Sequence, residues 1–200
     1  AAQASAQGID SLIVTGDMDT LKLVDRDVSV FALHQGISDA ITYDPAAVRE
    51  RFGLSPAQLV DFKALRGDPS DNIPGVKGIG EKTATQLLQD FGTLEGIYQH
   101  LTSEKIPERV RKLLAEHQPE AQQAKELVQI VRDAPIKFSL AGCELANYDP
   151  AAVAKLFSEL GFKSLMSRLP KPLPPTGSSQ GALALGAAPA NRPRLNSAHY

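Results

Sequence analysis

Between Gly67 and Gly80 the chain reads GDPSDNIPGVKGIG, with four glycines and two prolines in fourteen residues. A regular helix or strand cannot run through such a stretch, because proline removes backbone donors and glycine weakens both kinds of element. Both flanks are helical in pattern. SPAQLVDFKALRG places Ser55 as a cap, Pro56 at the first helical position and Gly67 as the stop. GEKTATQLLQDFG opens a second helix directly after Gly80. The chain must therefore fold as two helices joined by a glycine hairpin, with Asp68 and Asp71 in the connection.

Upstream, SLIVTG (Ser11–Gly16) is a short β-branched apolar run that reads as a buried strand, and DVSVFAL (Asp27–Leu33) alternates as a second. TLKLV between them fits one or two helical turns, and GISDAIT fits a third short strand. DPAAVRERFG carries an Asp44 cap, Pro45 at the first position and Gly53 as the stop. Downstream, Thr93–Leu101, Pro107–His117 and Pro119–Val131 read as three more helices. Val110, Leu113 and Leu114, and on the next helix Leu127, Ile130 and Val131, fall at helical spacing. PIKFSL is expected to be extended, and DPAAVAKLFSELGF to be a capped helix followed by a short one ending near Leu169. From Pro170 the chain is rich in Pro, Ala, Gly and Ser without apolar period and reads as a linker or disordered tail.

The 200 residues, 42% hydrophobic and 22% charged, suit a globular protein with one sizeable core or two small ones. No apolar run approaches a membrane span, and the single Cys143 cannot form an internal disulfide, which fits a reducing cytoplasm. The start, AAQASAQGID, has neither an initiator Met nor a signal pattern and suggests a piece of a longer protein. The net charge of −2 is no basic signature for nucleic acid. Residues 1–71 hold 11 acidic and 6 basic residues, a net of −5, whereas 72–132 hold 8 of each. An acidic pocket for cations fits this distribution, and so do two ordinary solvated surfaces.

Asp17 and Asp19 follow the first strand, where i and i+2 point to one side and where ligands gather in open α/β sheets. Two such carboxylates repel unless a cation or donors lie between them, and hard Mg²⁺ or Mn²⁺ prefers oxygen. Taken alone, either residue serves equally well as a helix cap. Asp68 and Asp71 sit in GDPSDN, a run of turn formers, and a purely structural turn explains that segment by itself. The coexistence of the two pairs, each just after a regular element, points to a metal cluster. In the hairpin, Gly75, Val76, Lys77, Gly78, Ile79 and Gly80 form the turn, and Lys82 and Thr83 add charge and a hydroxyl at the helix start. The order G-x-x-G-x-G without a preceding strand is not a dinucleotide fingerprint, and it lacks the spacing of a P-loop. It matches a helix–hairpin–helix, which grips a nucleic-acid backbone without reading bases. His34, His100 and His117 show no zinc spacing. Phe52, Phe62 and Phe91 read as core residues rather than base-stacking platforms.

On these motifs the chain resembles the 5′-nuclease domain of bacterial DNA polymerase I, in the flap-endonuclease superfamily. SLIVTGDMDTLKLV resembles the strand with its Asp-x-Asp. FKALRGDPSDNIPGVKGIGEKTATQLLQDFG resembles the second aspartate segment joined to the helix–three-turn–helix module, and LFSELGFKSLMSRL resembles the closing helices. The resemblance, running from about Gly8 to about Leu169, implies an α/β fold. Residues 1–71 would be the C-terminal part of a PIN-like, resolvase-like parallel-sheet nuclease domain. Residues 72–169 would be the DNA-binding module with closing helices, and 170–200 a linker. It implies Asp17, Asp19 and Asp71 as ligands of two divalent ions, Mg²⁺ or Mn²⁺, with Asp68 a nearby acidic member of the catalytic cluster. It also implies K⁺ at the hairpin carbonyls. The implied substrates are DNA with a 5′ flap or nick and RNA primer–DNA junctions, and a polymerase domain would share the parent chain. The family's earlier carboxylates and helical gateway have no counterpart here, so this chain alone is expected to be inactive and to leave a sheet edge open. The alternative is a non-catalytic helix–hairpin–helix module that only docks DNA.

Overall fold

The computed structural model describes residues 1–33, 39–143 and 148–169. These fall into two compact units, one of Ala1–Ala134 and one beginning at Pro135. The tail and His34 lie outside the described residues, as does the first part of GISDAIT.

The fold of the first unit is mixed α/β. A short helix α1 (Ala2–Ser5) precedes strand β1 (Ser11–Thr15). A 3₁₀ helix, Met18–Leu23, leads to β2 (Val28–Ala32), and β3 is Ile41–Tyr43. The sheet order is β1-β2-β3. β1 and β2 are parallel, with Ile13 opposite Val30, and β3 joins antiparallel with Tyr43 opposite Val30. An antiparallel edge strand on a parallel pair is a common mixed arrangement. The expectation of a buried first strand is corrected: Leu12 is 55% and Val14 61% exposed, while Ile13 packs inward. Successive strand residues face opposite sides, and the helical layer covers only one of them.

Helix α2 (Pro45–Phe52) starts on the Asp44 carboxylate, which accepts the N–H of Ala47, and ends at Gly53 with φ +67°. The next start is a capping box: Ser55 opens the 3₁₀ turn Pro56–Gln58, with Gln58 reaching back to the Ser55 N–H, and α3 (Leu59–Arg66) follows. α4 (Glu81–Phe91), α5 (Leu94–Gln99), α6 (Glu108–Glu116) and α7 (Gln118–Val128) complete this unit. α3 is its centre and packs on α4, α5 and α7. Leu65, Leu88, Ile97 and Leu114 are the fully buried heart of that core. A smaller cluster of Leu21, Val30, Tyr43 and Val48 lies under the sheet. Phe62 is buried, and Phe52 and Phe91 pack against the core, as their spacing predicts.

α7 departs from its sequence reading. The helix stops at Val128 and buries Ala121, Ala124 and Val128, whereas Leu127 and Val131 are 61% and 72% exposed. Two alanines let α7 approach α3 closely, and that face wins over the bulkier apolar one. One polar group is built into the packing. Asp61 on α3, 4% exposed, accepts the N–H of Leu94 at the start of α5. It also pairs at 2.7 Å with Lys125 of α7, which in turn holds Glu95. One carboxylate thus fixes three helices.

In the second unit PIKFSL forms neither helix nor strand. α8 (Pro150–Glu159) is capped by Asp149, and a 3₁₀ helix follows at Lys163–Arg168. Cys143 is exposed.

Candidate metal centre and hairpin

The Met18–Leu23 helix begins where β1 ends, and the Asp17 carboxylate is its cap, accepting the N–H of Asp19 at 2.9 Å. The cap leaves Asp19 turned toward α3. The aspartates of the connection are held by a small closed bridge: Asp68 N–H donates to Ile73 C=O and Ile73 N–H to Asp68 C=O, at 2.8 and 2.9 Å. Between them Pro69–Asp71 is one 3₁₀ turn, ended by Asn72 at φ +58°. Asn tolerates this left-handed conformation better than most side chains. Asp19, Asp68 and Asp71 converge as a result, each offering an oxygen within 4.8 Å of the others. Asp17 is not in this group.

Two lysines complete the cluster. Lys63, on the last turn of α3, donates to both Asp19 and Asp68. Lys22, 5% exposed, donates to Asp19 at 2.9 Å and to the carbonyl of Val128 at 2.8 Å. Arg132 returns a bond to the Lys22 carbonyl at 2.7 Å. Burial lowers the pKa of Lys22 from its ordinary value, against the raising fields of Asp68, Asp17 and Asp71. For Asp68, burial pushes the pKa up, but hydrogen bonds from Lys63 and Ser70 and the Lys63 charge outweigh it and hold the carboxyl at about 2. A cavity of about 390 Å³ opens beside the cluster, lined by Met18, Lys22, Arg51, Lys63, Arg66 and Ser70 among others. Sequence reasoning missed Lys22, Lys63 and the Asp61–Lys125 pair. The available signals were Lys22 three residues after Asp19, in an otherwise apolar run, and Lys63 one helical turn and a corner before Asp68.

The hairpin lies on the same connection. Val76 and Ile79 are buried in the helical core, and Val76 N–H donates to Leu65 C=O at 2.8 Å. Those anchors leave Lys77, Gly78, Gly80 and Lys82 exposed, with Thr83 half-buried. Gly75 has φ +61°, and a Cβ there would stand 2.2 Å from the Gly67 nitrogen. Gly80 is extended and caps α4. The three carboxylates are hard oxygen donors grouped closely enough for one divalent ion to span them, so they fit such a cation.

The family model described as 5′-3′ exonuclease, C-terminal SAM fold, matches residues 54–151. Over that stretch this chain is similar to the 5′-3′ exonuclease family. It is 42% identical over 172 residues to DNA polymerase I of Bacillus caldotenax, covering 86% of this chain and 20% of that protein. To DNA polymerase I of Mycobacterium leprae it is 39% identical over 169 residues, 84% of this chain and 18% of that protein. The chain thus spans about a fifth of the length of the curated relatives it matches. Among solved structures, the T5 5′-exonuclease with bound divalent metal ions (zinc) superposes with a TM-score of 0.54 at 24% identity, over 62% of this chain and 46% of that one. A bacteriophage T5 flap endonuclease variant in a pseudo-enzyme–product complex with DNA and metal ions gives 0.53 at 22%, over 62% and 44%. At these identities the similarity establishes a shared exonuclease fold. No helix of the described residues is long and apolar enough to cross a membrane.

Proposed function

We propose that the chain is the cation- and DNA-binding part of a 5′-3′ exonuclease and flap endonuclease that removes 5′ flaps and RNA primers by metal-dependent phosphodiester hydrolysis. One observation carries the reading: Asp68 and Asp71 share the α3–α4 connection with the glycine hairpin, and Asp19 converges on them from the sheet. Cutting and gripping are thereby held in register. The metal ions in the two T5 structures, and the DNA in one, support it.

Asp19, Asp68 and Asp71 would hold Mg²⁺ or Mn²⁺, with Asp17 fixing Asp19 through its cap. When bound, such ions supply charge stabilisation to a phosphoryl oxygen and activate a water. The exposed Lys77, Gly78 and Gly80 of the 75–80 hairpin, with Lys82 and Thr83, would hold duplex phosphates, which carry affinity without sequence choice. The hairpin carbonyls would take K⁺. The similarity to DNA polymerase I supports a polymerase partner in the same parent chain and a cytoplasmic setting. The working division places the acidic part in 1–71 and the gripping module in 72–169. Three carboxylates suit one divalent ion better than two, so binding without full-rate cleavage is the behaviour proposed for the 200-residue chain.

The second reading is docking alone, and the observation favouring it is that Lys22 and Lys63 already pair with Asp19 and Asp68. A labelled 5′-flap duplex, titrated with this chain in Mg²⁺ and then Mn²⁺ and read for binding and cleavage together, separates the two. Cleavage lost in Asp17→Ala/Asp71→Ala establishes the nuclease. Binding that needs Lys77 but ignores every aspartate leaves docking alone.

A further inference from the structure

We propose that Lys63 is a built-in competitor for the cation: its ammonium closes the carboxylate cluster, and a divalent ion enters by displacing it. This rests on the cation-binding reading above. Lys63 donates to a carboxylate oxygen of Asp19 and to one of Asp68, two of the three residues whose oxygens lie within 4.8 Å of one another. The other oxygens are engaged as well, that of Asp19 by Lys22 and that of Asp68 by Ser70, so a cation bridging those residues competes with the Lys63 ammonium for the pair it holds. Two positive charges at such separation repel strongly in a partly desolvated site, so both cannot stay.

The two lysines differ in their freedom to leave. Lys22 is 3% exposed at its side chain and is tied to the Val128 carbonyl as well as to Asp19. The Lys63 side chain is 20% exposed, its ammonium bonds only the two carboxylates among the described residues, and it borders the cavity of about 390 Å³. That cavity gives a flexible lysine stem somewhere to go, beside Met18, Phe62 and Ser70. Asp71 is exposed and takes part in no ion pair among the described residues, so it is where an arriving ion makes its first contact. Lys63 then swings off as the ion closes onto Asp19 and Asp68. The device keeps the acidic residues ordered and sets a threshold of divalent ion below which the site stays closed.

The test is Mn²⁺ titration calorimetry on the intact 200-residue chain and on Lys63→Met, Arg66→Met and Asp71→Asn. Arg66 lines the same cavity and touches none of the three aspartates, so its variant controls for charge alone. The expected result is that Lys63→Met binds Mn²⁺ at least about tenfold more tightly, with Arg66→Met within about twofold of the parent chain. Unchanged or weaker binding by Lys63→Met overturns the proposal and makes Lys63 a scaffold for Asp68. An equal gain in both variants overturns it in favour of net charge. If Asp71→Asn weakens binding while Lys63→Met changes nothing, the proposal fails and the cation site stands; if neither the parent chain nor Lys63→Met binds Mn²⁺, both fail. A measurement on the unmutated chain guards against misfolding. Mg²⁺ titration followed at the lysine ¹⁵Nζ resonances should move the Lys63 signal and leave that of Lys22 in place, and an unmoved Lys63 signal at saturation refutes displacement.

Discussion

Lys22 donates to the carbonyl of Val128, 106 residues further along the chain, at 2.8 Å. The same ammonium holds Asp19. The last carbonyls of a helix lack partners within it, and the end of α7 finds one in the acidic cluster. The acidic cluster and the last helix of the first unit are therefore one mechanical piece.

Lys22→Met tests that connection. It leaves the Val128 carbonyl without its donor and Asp19 short of one cation, which costs about 2–4 kcal/mol. Urea unfolding followed by circular dichroism should show the drop, and a midpoint unchanged from the parent chain would show that the buried ammonium adds nothing.

Acid should weaken the fold in part through Asp68. Its carboxyl sits at about 2 in the folded chain, below the roughly 3.9 of an unfolded aspartate. A depressed folded value means that its stabilisation is complete above about pH 4 and is lost as pH falls toward 2, by about 2 kcal/mol in total. Urea midpoints between pH 5 and 2 should therefore fall less steeply in Asp68→Asn than in the parent chain. Parallel slopes would refute the assignment.

Asp71 is exposed, so Asp71→Asn should change stability by no more than about 0.5 kcal/mol. Its Mn²⁺ affinity should nevertheless fall at least about tenfold, because a charged oxygen ligand is lost. Calorimetry on the folded variant decides, and retained affinity removes Asp71 from the site.

Two hairpin glycines should behave differently. Gly75→Ala forces a left-handed residue against the Gly67 backbone at 2.2 Å and should destabilise by about 2 kcal/mol or more. Gly80→Ser has open space and an extended backbone, and serine is the better helix cap, so stability should hold or rise slightly. Any loss of flap-duplex binding in the folded Gly80→Ser variant then reports on the DNA contact itself.

Much of the fold was legible in short stretches. Asp44, Pro45 and Gly53 bounded α2, and Ser55 with Gln58 opened the next helix, because caps and stops act over three or four residues. The hairpin was equally plain, since only glycine accepts Gly75's conformation and contacts. β1 was overread as buried, since an apolar run says nothing about whether a layer covers each face. α7 was overread too: periodicity favoured Leu127 and Val131, but packing on α3 chose the small face of Ala121 and Ala124.

By itself, then, the sequence determined the elements, the hairpin and the positions of four aspartates. Tertiary structure alone decided which of those carboxylates meet. Asp19 joins Asp68 and Asp71 because the Met18–Leu23 helix packs on α3, while Asp17 is turned to the local cap. It also brought in Lys22 and Lys63, whose partners lie up to 106 residues away. Local signals fade within a helical turn, whereas convergence of distant charges depends on which faces of the helices pack, and only the folded core sets that.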